Sequence, residues 1–170
     1  MSQSGPLAGL PAAQLPAFAD RLLMGLGMQL RSMPVELRIN AWLAERFPEL
    51  REVQAVMVRR QLQENARALD TRASVPGKVF RASIAMNAAT ALYWAGVLQD
   101  DALAAPYRQA GYLIDGRSLL KTWHTMDAAP EADRALIDAW ATALNVRRWF
   151  QWLPYAAPPR ELVPVAGGPT

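Results

Sequence analysis

The chain has 170 residues, of which 52% are apolar and 19% charged, with a net charge of +3 and no cysteine. Its length predicts one domain, which at this size can bury a core without disulfides or metals. The absence of cysteine excludes thiolate catalysis, iron–sulfur clusters and thiolate zinc sites, and favours a reducing cytoplasm. Because charge is scarce, we expect some apolar surface to contact another protein or a second copy, as in a homo-oligomer.

The basic residues are strongly biased towards arginine. Sixteen are arginines and only Lys78 and Lys121 are lysines. High alanine content with arginine in place of lysine is typical of a GC-rich genome, so we expect a bacterial protein. The same bias makes the sequence pI of 9.7 a weak indicator of nucleic-acid binding.

No targeting or membrane segment is predicted. The first cation is Arg21, so the N-terminus lacks the basic start of a signal peptide. The uncharged run at residues 82–99 just reaches the length of a membrane span. Polar residues such as Asn87 and Thr90 interrupt it, which favours a buried central helix.

Prolines divide the chain into predicted helices, because proline is tolerated in the first turn of a helix and disfavoured inside one. Six prolines each precede a segment with helical periodicity: Pro16, Pro34, Pro48, Pro76, Pro106 and Pro130. The other seven lie in the first eleven or last seventeen residues, in Pro/Gly-rich stretches. We therefore predict disordered tails at 1–14 and 154–170 around a helical bundle domain at 15–153.

The first three predicted helices run from Pro16 to Arg31, from Pro34 to Phe47 and from Pro48 to Leu69. Each carries apolar residues three or four positions apart, the spacing that buries one face of a helix. The stripe of the third helix consists of Ala55, Val58, Leu62, Ala66 and Leu69.

The remaining segments are predicted to be helical as well. The fourth, from Lys78 to Leu98, is apolar nearly all round and indicates a core helix. The fifth starts at an Asp100 cap, turns at Asp115-Gly116 and continues to Thr125. The sixth runs from Pro130 and is stopped by Pro154. Because no stretch alternates with a two-residue period, the fold class is all-α, a single bundle of five to seven helices.

Residues for catalysis or metal binding are scarce. The only histidine is His124, flanked by Thr122 and Thr125, and no glycine-rich phosphate loop or Gly-x-Ser-x-Gly motif is present. A histidine at the C-terminal end of a helix is favourably placed on the negative end of its dipole, which is a structural role. We therefore predict a non-enzymatic protein with no cofactor and no metal.

The strongest candidates for a protein interface are aromatic residues and their arginine neighbours. They are Trp42, Arg147, Arg148, Trp149, Phe150 and Trp152. Tryptophan and arginine are enriched at interface hot spots, although the same rings could simply close the core. We predict a non-catalytic helical adaptor that acts through protein–protein binding, with an accessory role in secretion or assembly as one concrete form.

Two alternatives remain open. The first is a nucleic-acid-binding surface made of Arg59, Arg60, Arg67, Arg72, Lys78 and Arg81, which give residues 59–81 a net charge of +4 against Glu64 and Asp70. The structural interpretation of these cations is a solvated helix face with an ion-pair ladder through Glu64. The second is a small apolar ligand held near Met86, Tyr93, Trp94 and His124.

Overall fold

The computed structural model describes residues 11–153, which form six α-helices and, within this range, no strand. The helices are α1 Leu15–Arg46, α2 Arg51–Ala66, α3 Gly77–Val97, α4 Ala105–Gln109, α5 Leu113–Thr125 and α6 Asp133–Ala143. Short 3-10 turns lie at Ala12–Gln14, Pro48–Leu50, Arg67–Ala73, Asp101–Ala104, Pro130–Ala132 and Arg147–Trp149. The predicted all-α bundle of five to seven helices is confirmed. The predicted tails lie outside the described residues, apart from residues 11–14.

Helix α3 is the centre of the bundle, as its apolar composition predicted. Most of its residues are buried, and small side chains such as Ala85, Ala88 and Ala89 let neighbouring helices approach closely. One core cluster joins α3 to α1, α5 and α6, and a second joins it to α2, α4 and the start of α5. Among the described residues, no helix is long and apolar enough to cross a bilayer.

Helix α5 runs through Asp115 and Gly116, so the predicted turn at these residues is wrong. The chain reverses instead around Gly111, whose φ of +82° is strained for other residue types. Gly116 lies in α5 against the α3 backbone, and a Cβ there would come within 2.9 Å of the Ala88 carbonyl carbon. Gly116 therefore allows α5 to pack closely on α3, and it does not end a helix.

Pro34 lies inside α1, which makes the predicted boundary there wrong and joins two predicted helices into one of 32 residues. An internal proline removes one helical hydrogen bond and costs about 3 kcal/mol. Along this helix, however, Leu26, Leu30, Met33 and Leu37 are all buried on one stripe facing the core, together with Pro34 itself. The Pro34 carbonyl accepts a hydrogen bond from Trp123 Nε1 at 3.1 Å, which ties α1 to α5 at this point. Burial of the continuous stripe outweighs the cost of the proline.

Helix α6 ends at Ala143, well before the predicted stop at Pro154, which lies outside the described residues. Asn145 has a φ of +58°, a left-handed conformation that ends helices and that asparagine tolerates well. The buried residues of α6 include Leu136 and Trp140. After the turn, Val146 is buried and the chain folds back over α1 and α6.

Helices α1 and α2 form an antiparallel pair on one side of α3. At the connected end, Gln54 Nε2 donates to Asn40 Oδ1 at 3.1 Å. At the far end, Asn87 of α3 links both helices, since its Oδ1 accepts from Gln29 Nε2 at 2.9 Å and its Nδ2 donates to the Asn65 carbonyl at 3.5 Å. This arrangement fixes which sides of α1 and α2 face the core and which face outwards.

Candidate protein interface

The most conspicuous exposed surface is the side of the α1–α2 pair that faces away from the core. It carries large apolar side chains whose exposed fractions range from 36% for Phe47 to 69% for Val56. We call this surface the outer face; its residues are Ile39, Trp42, Phe47, Leu50, Val53, Val56 and Met57.

The periodicity of the two helices explains why these residues share one side. In α1, Leu37 is buried in the core, and Trp42 lies roughly 140° around the helix from it at 3.6 residues per turn. In α2, Val58 is buried, and Val56 lies roughly 160° away by the same count. Because the helices are antiparallel and both bury one stripe against α3, their opposite stripes point outwards together.

The outer face is continuous across the connection between the helices. The Trp42 and Phe47 rings meet edge to face with centroids 5.5 Å apart. Leu50 follows Phe47 by three residues in the Pro48–Leu50 turn, and Val53 follows Leu50 by three more. From Leu50 into α2 the backbone is helical, and there a spacing of three residues places side chains next to each other on the surface.

The area of the outer face is at the upper end for a monomer. Aromatic side chains present about 150–250 Å² each and aliphatic ones less, so at these exposed fractions the seven residues expose on the order of 600 Å². The largest apolar patch on a typical soluble monomer is about 300–600 Å² and is often functional. Met24 and Met28 continue the stripe along α1, with exposed fractions of 66% and 63%. A groove of about 360 Å³ between α1 and residues 128–133 borders the face at Ile39 and Trp42.

The segment that contains the outer face has no net charge, since residues 36–64 contain five arginines and five glutamates. Arg38, one of these arginines, is nearly buried and pairs with Asp133. Arg60 Nε lies 3.2 Å from Glu64 Oε1 on the exposed side of α2. Arg59 pairs with Asp100, and its hydrogen bond lowers the pKa of that carboxyl. Asp100 also accepts a hydrogen bond from Ala102 N, as predicted for a helix cap.

The other predicted interface residues lie elsewhere, in what we call the C-terminal corner: Arg147, Phe150 and Trp152 with their partner Asp138. Trp152 Nε1 donates to Asp138 Oδ1 at 2.9 Å, and Arg147 Nε lies 2.8 Å from the same oxygen. The Phe150 ring packs on Gly27 of α1. Three of the predicted residues are therefore held by contacts within the chain.

The structure thus divides the six predicted interface residues between two places. Phe150 contacts α1 at Gly27, whereas Trp42 lies 15 residues further along the same helix, a distance of roughly 22 Å at 1.5 Å per residue. Arg148 and Trp149, the latter 38% exposed, lie on the surface of the 3-10 turn beside the corner. A groove of about 470 Å³ lies at the corner, lined by Leu30, Ile137, Phe150, Trp152 and Leu153 among others.

Half of the predicted nucleic-acid surface is neutralised by carboxylates. Arg59, Arg60 and Arg81 pair with Asp100, Glu64 and Asp115 respectively. The remaining cations, Arg67, Arg72 and Lys78, are exposed on the Arg67–Ala73 turn and at the start of α3.

The residues of the predicted ligand site do not share one cavity. Met86 and Trp94 are core residues, exposed by 0% and 2%. Tyr93 is half-buried between the Trp94 and Trp123 rings, and burial raises its pKa. His124 is exposed near the C-terminal end of α5, against Trp123. A groove of about 460 Å³ is lined by Tyr93 and Trp94 but by neither Met86 nor His124.

Comparison with protein families, with curated proteins and with solved structures finds no match to this chain. Within residues 11–153, no three acidic or histidine side chains converge on a point that could hold a metal ion.

The sequence analysis named Trp42 as a candidate and named none of the other six residues of the outer face. The missing signal is a second apolar stripe on α2. Val58 and Leu62 form the buried stripe, whereas Val53, Val56 and Met57 form another on the opposite side. A helix on the surface of a monomer needs only one apolar stripe, which packs against the core. A second apolar stripe on the opposite side therefore indicates a second contact surface.

Proposed function

We propose that this protein is a non-catalytic helical adaptor that acts by binding a polypeptide through its outer face. The observation that supports the proposal best is the continuous set of seven exposed large apolar side chains on one side of α1 and α2. Exposing such a patch to water is unfavourable by roughly 25 cal/mol per Å². Covering it by association would recover that free energy.

The chemistry of the outer face suits recognition of protein. Trp42 provides a large ring of the kind enriched at binding hot spots. Met57, with Met24 and Met28 along the same stripe, provides flexible and polarisable side chains that adapt to a partner surface. No residue singles out a particular process, so secretion or assembly remains an example of the role.

The charge pattern gives less support to nucleic acid as the partner. Binding to phosphates needs cations that can release counterions, and three of the six candidate cations already face carboxylates. Residues 36–64, which contain the outer face, have five arginines and five glutamates and therefore no net charge.

Capture from a lysate of the source organism tests the proposal, with native mass spectrometry as the readout. The tagged full chain, its Val56→Glu variant and its Ile114→Glu variant are compared, each with and without nuclease. Ile114 is a matched control because it is 77% exposed on α5, away from the outer face. We expect a nuclease-resistant protein partner, or a second copy of the chain, to be lost only with Val56→Glu. Equal association by both variants would contradict the proposal.

A further inference from the structure

We infer that the occupant of the outer face is a second copy of this chain, related by a two-fold axis. The inference rests on the proposed function, because it names the partner of the same surface. In the resulting dimer, the α1–α2 pair of one copy packs on the α1–α2 pair of the other.

The first support is area. The outer face exposes on the order of 600 Å², comparable with the roughly 800 Å² that each partner contributes to a stable interface of standard size. Met24 and Met28, both more than 60% exposed, extend the same stripe and would add to this area. A short peptide or single side chain would leave much of the surface uncovered.

The second support is charge. The whole chain carries +3, yet residues 36–64, which contain the outer face, have no net charge. A surface with one dominant sign repels its own copy and selects a partner of opposite sign. A surface with both signs in equal number can complement itself when a two-fold axis brings each residue opposite a different one.

The third support is shape. The outer face is one side of a layer of two antiparallel helices, each of which buries its opposite side against α3. Two such layers stacked face to face give a four-helix arrangement, a common way for apolar helix faces to leave water. With a two-fold axis, the outer face of each copy packs on the outer face of the other. Neither copy is then left with this surface exposed to water.

The oligomeric state of the full chain tests this inference directly. By sedimentation velocity over a wide concentration range, we expect a species of twice the 18.7 kDa chain mass, with a Kd of about 1 μM or below. Val56→Glu buries an unpaired carboxylate from each copy and should weaken the dimer by about 100-fold or more. Ile114→Glu should leave the dimer intact. Because Val56 is 69% exposed in one copy, far-UV circular dichroism should show both variants folded.

Cross-linking gives an independent measurement, because the chain has no cysteine of its own. A flexible bismaleimide should join two copies of Met57→Cys and leave Ile114→Cys uncoupled. Equal cross-linking of the two variants at the same concentration would overturn the inference.

The remaining outcomes separate this inference from the proposed function. If the chain stays monomeric at all concentrations, or if Val56→Glu dimerises like the original chain, the second copy is not the occupant. Should Val56→Glu then still lose a lysate partner that Ile114→Glu keeps, the outer face binds a different protein and the proposed function stands. If neither association exists, both the inference and the proposed function are wrong.

Discussion

The outer face and the C-terminal corner contain the same kinds of residue and use them differently. In the corner, Trp152 donates to Asp138, stacks under the Arg134 guanidinium at 5.2 Å and is half-buried. On the outer face, Trp42 is 56% exposed and touches Phe47 along one edge. The aromatic side chains of the corner therefore contribute to folding, whereas those of the outer face remain available for binding.

What separates the two regions is the packing around each tryptophan, not the residue type. The corner lies where the chain folds back over α1 and α6, so Trp152 finds an acceptor and a cation from α6. The outer face lies on the far side of helices that are already anchored to α3 by their other stripe. Trp42 there meets the Phe47 ring of the adjoining turn, and 56% of its surface still faces water.

The largest expected difference follows from truncating the two tryptophans. Trp152→Ala should lower the free energy of unfolding by about 2–3 kcal/mol, because it removes packing and the bond to Asp138. Trp42→Ala should cost about 1 kcal/mol or less, since over half of that side chain already faces water. Urea denaturation at low protein concentration measures both, and equal losses would contradict the division between the regions.

The next effect concerns the acid that organises the corner. Asp138 Oδ1 accepts from Trp152 and lies within 2.8 Å of Arg147. Asp138→Ala should therefore cost about 1–2 kcal/mol, reduced by the solvent that reaches both partners. The matched control is Glu64→Ala beside the outer face, where the exposed pair with Arg60 is worth about 0.3–0.5 kcal/mol. Equal losses of unfolding free energy from Asp138→Ala and Glu64→Ala would mean that the corner is no better packed than the exposed surface of α2.

The sequence predicted the helical class and the central helix, because these depend on local periodicity. The α3 core segment was predicted to within one residue at each end, since its apolar residues cover every side of the helix. Pro34 and Gly116 were misinterpreted because their effect depends on tertiary contacts. Pro34 lies in a stripe whose burial outweighs its local cost, and Gly116 is required by the α3 backbone beside it.

The candidate site was harder to predict than the fold. Exposure of an apolar residue is decided by which stripe of its helix contacts α3, and the sequence of α2 contains two stripes of similar quality. The pairing of Arg59 with Asp100, 41 residues away, likewise depends on the fold and not on sequence distance. Trp42 stood out by its size alone, whereas Val53 and Val56 resemble any core residue in the sequence.

The dependence of the Tm on protein concentration should distinguish the outer face from the C-terminal corner. If the outer face joins two copies, the Tm should rise by about 2 °C for each tenfold increase in protein concentration, since association stabilises the folded state. Val56→Glu should abolish this dependence. Trp152→Ala should lower the Tm at every concentration and keep the slope. If the Tm of Trp152→Ala no longer depended on protein concentration, the two copies would associate through the C-terminal corner and not through the outer face.

The smallest expected effect compares two glycines of α1 that differ only in what faces them. Gly25 has open space where a Cβ would be, so Gly25→Ala should stabilise the helix by about 0.5–1 kcal/mol. At Gly27 a Cβ would lie 3.0 Å from Cε1 of Phe150, and the ring would have to move. Gly27→Ala should therefore gain less than Gly25→Ala by about 1 kcal/mol, and its net effect should be near zero or unfavourable. Equal stabilisation by both changes in urea denaturation would mean that Phe150 does not rest on α1 in solution. The corner would then be open, and its groove would join the outer face as a surface available to a partner.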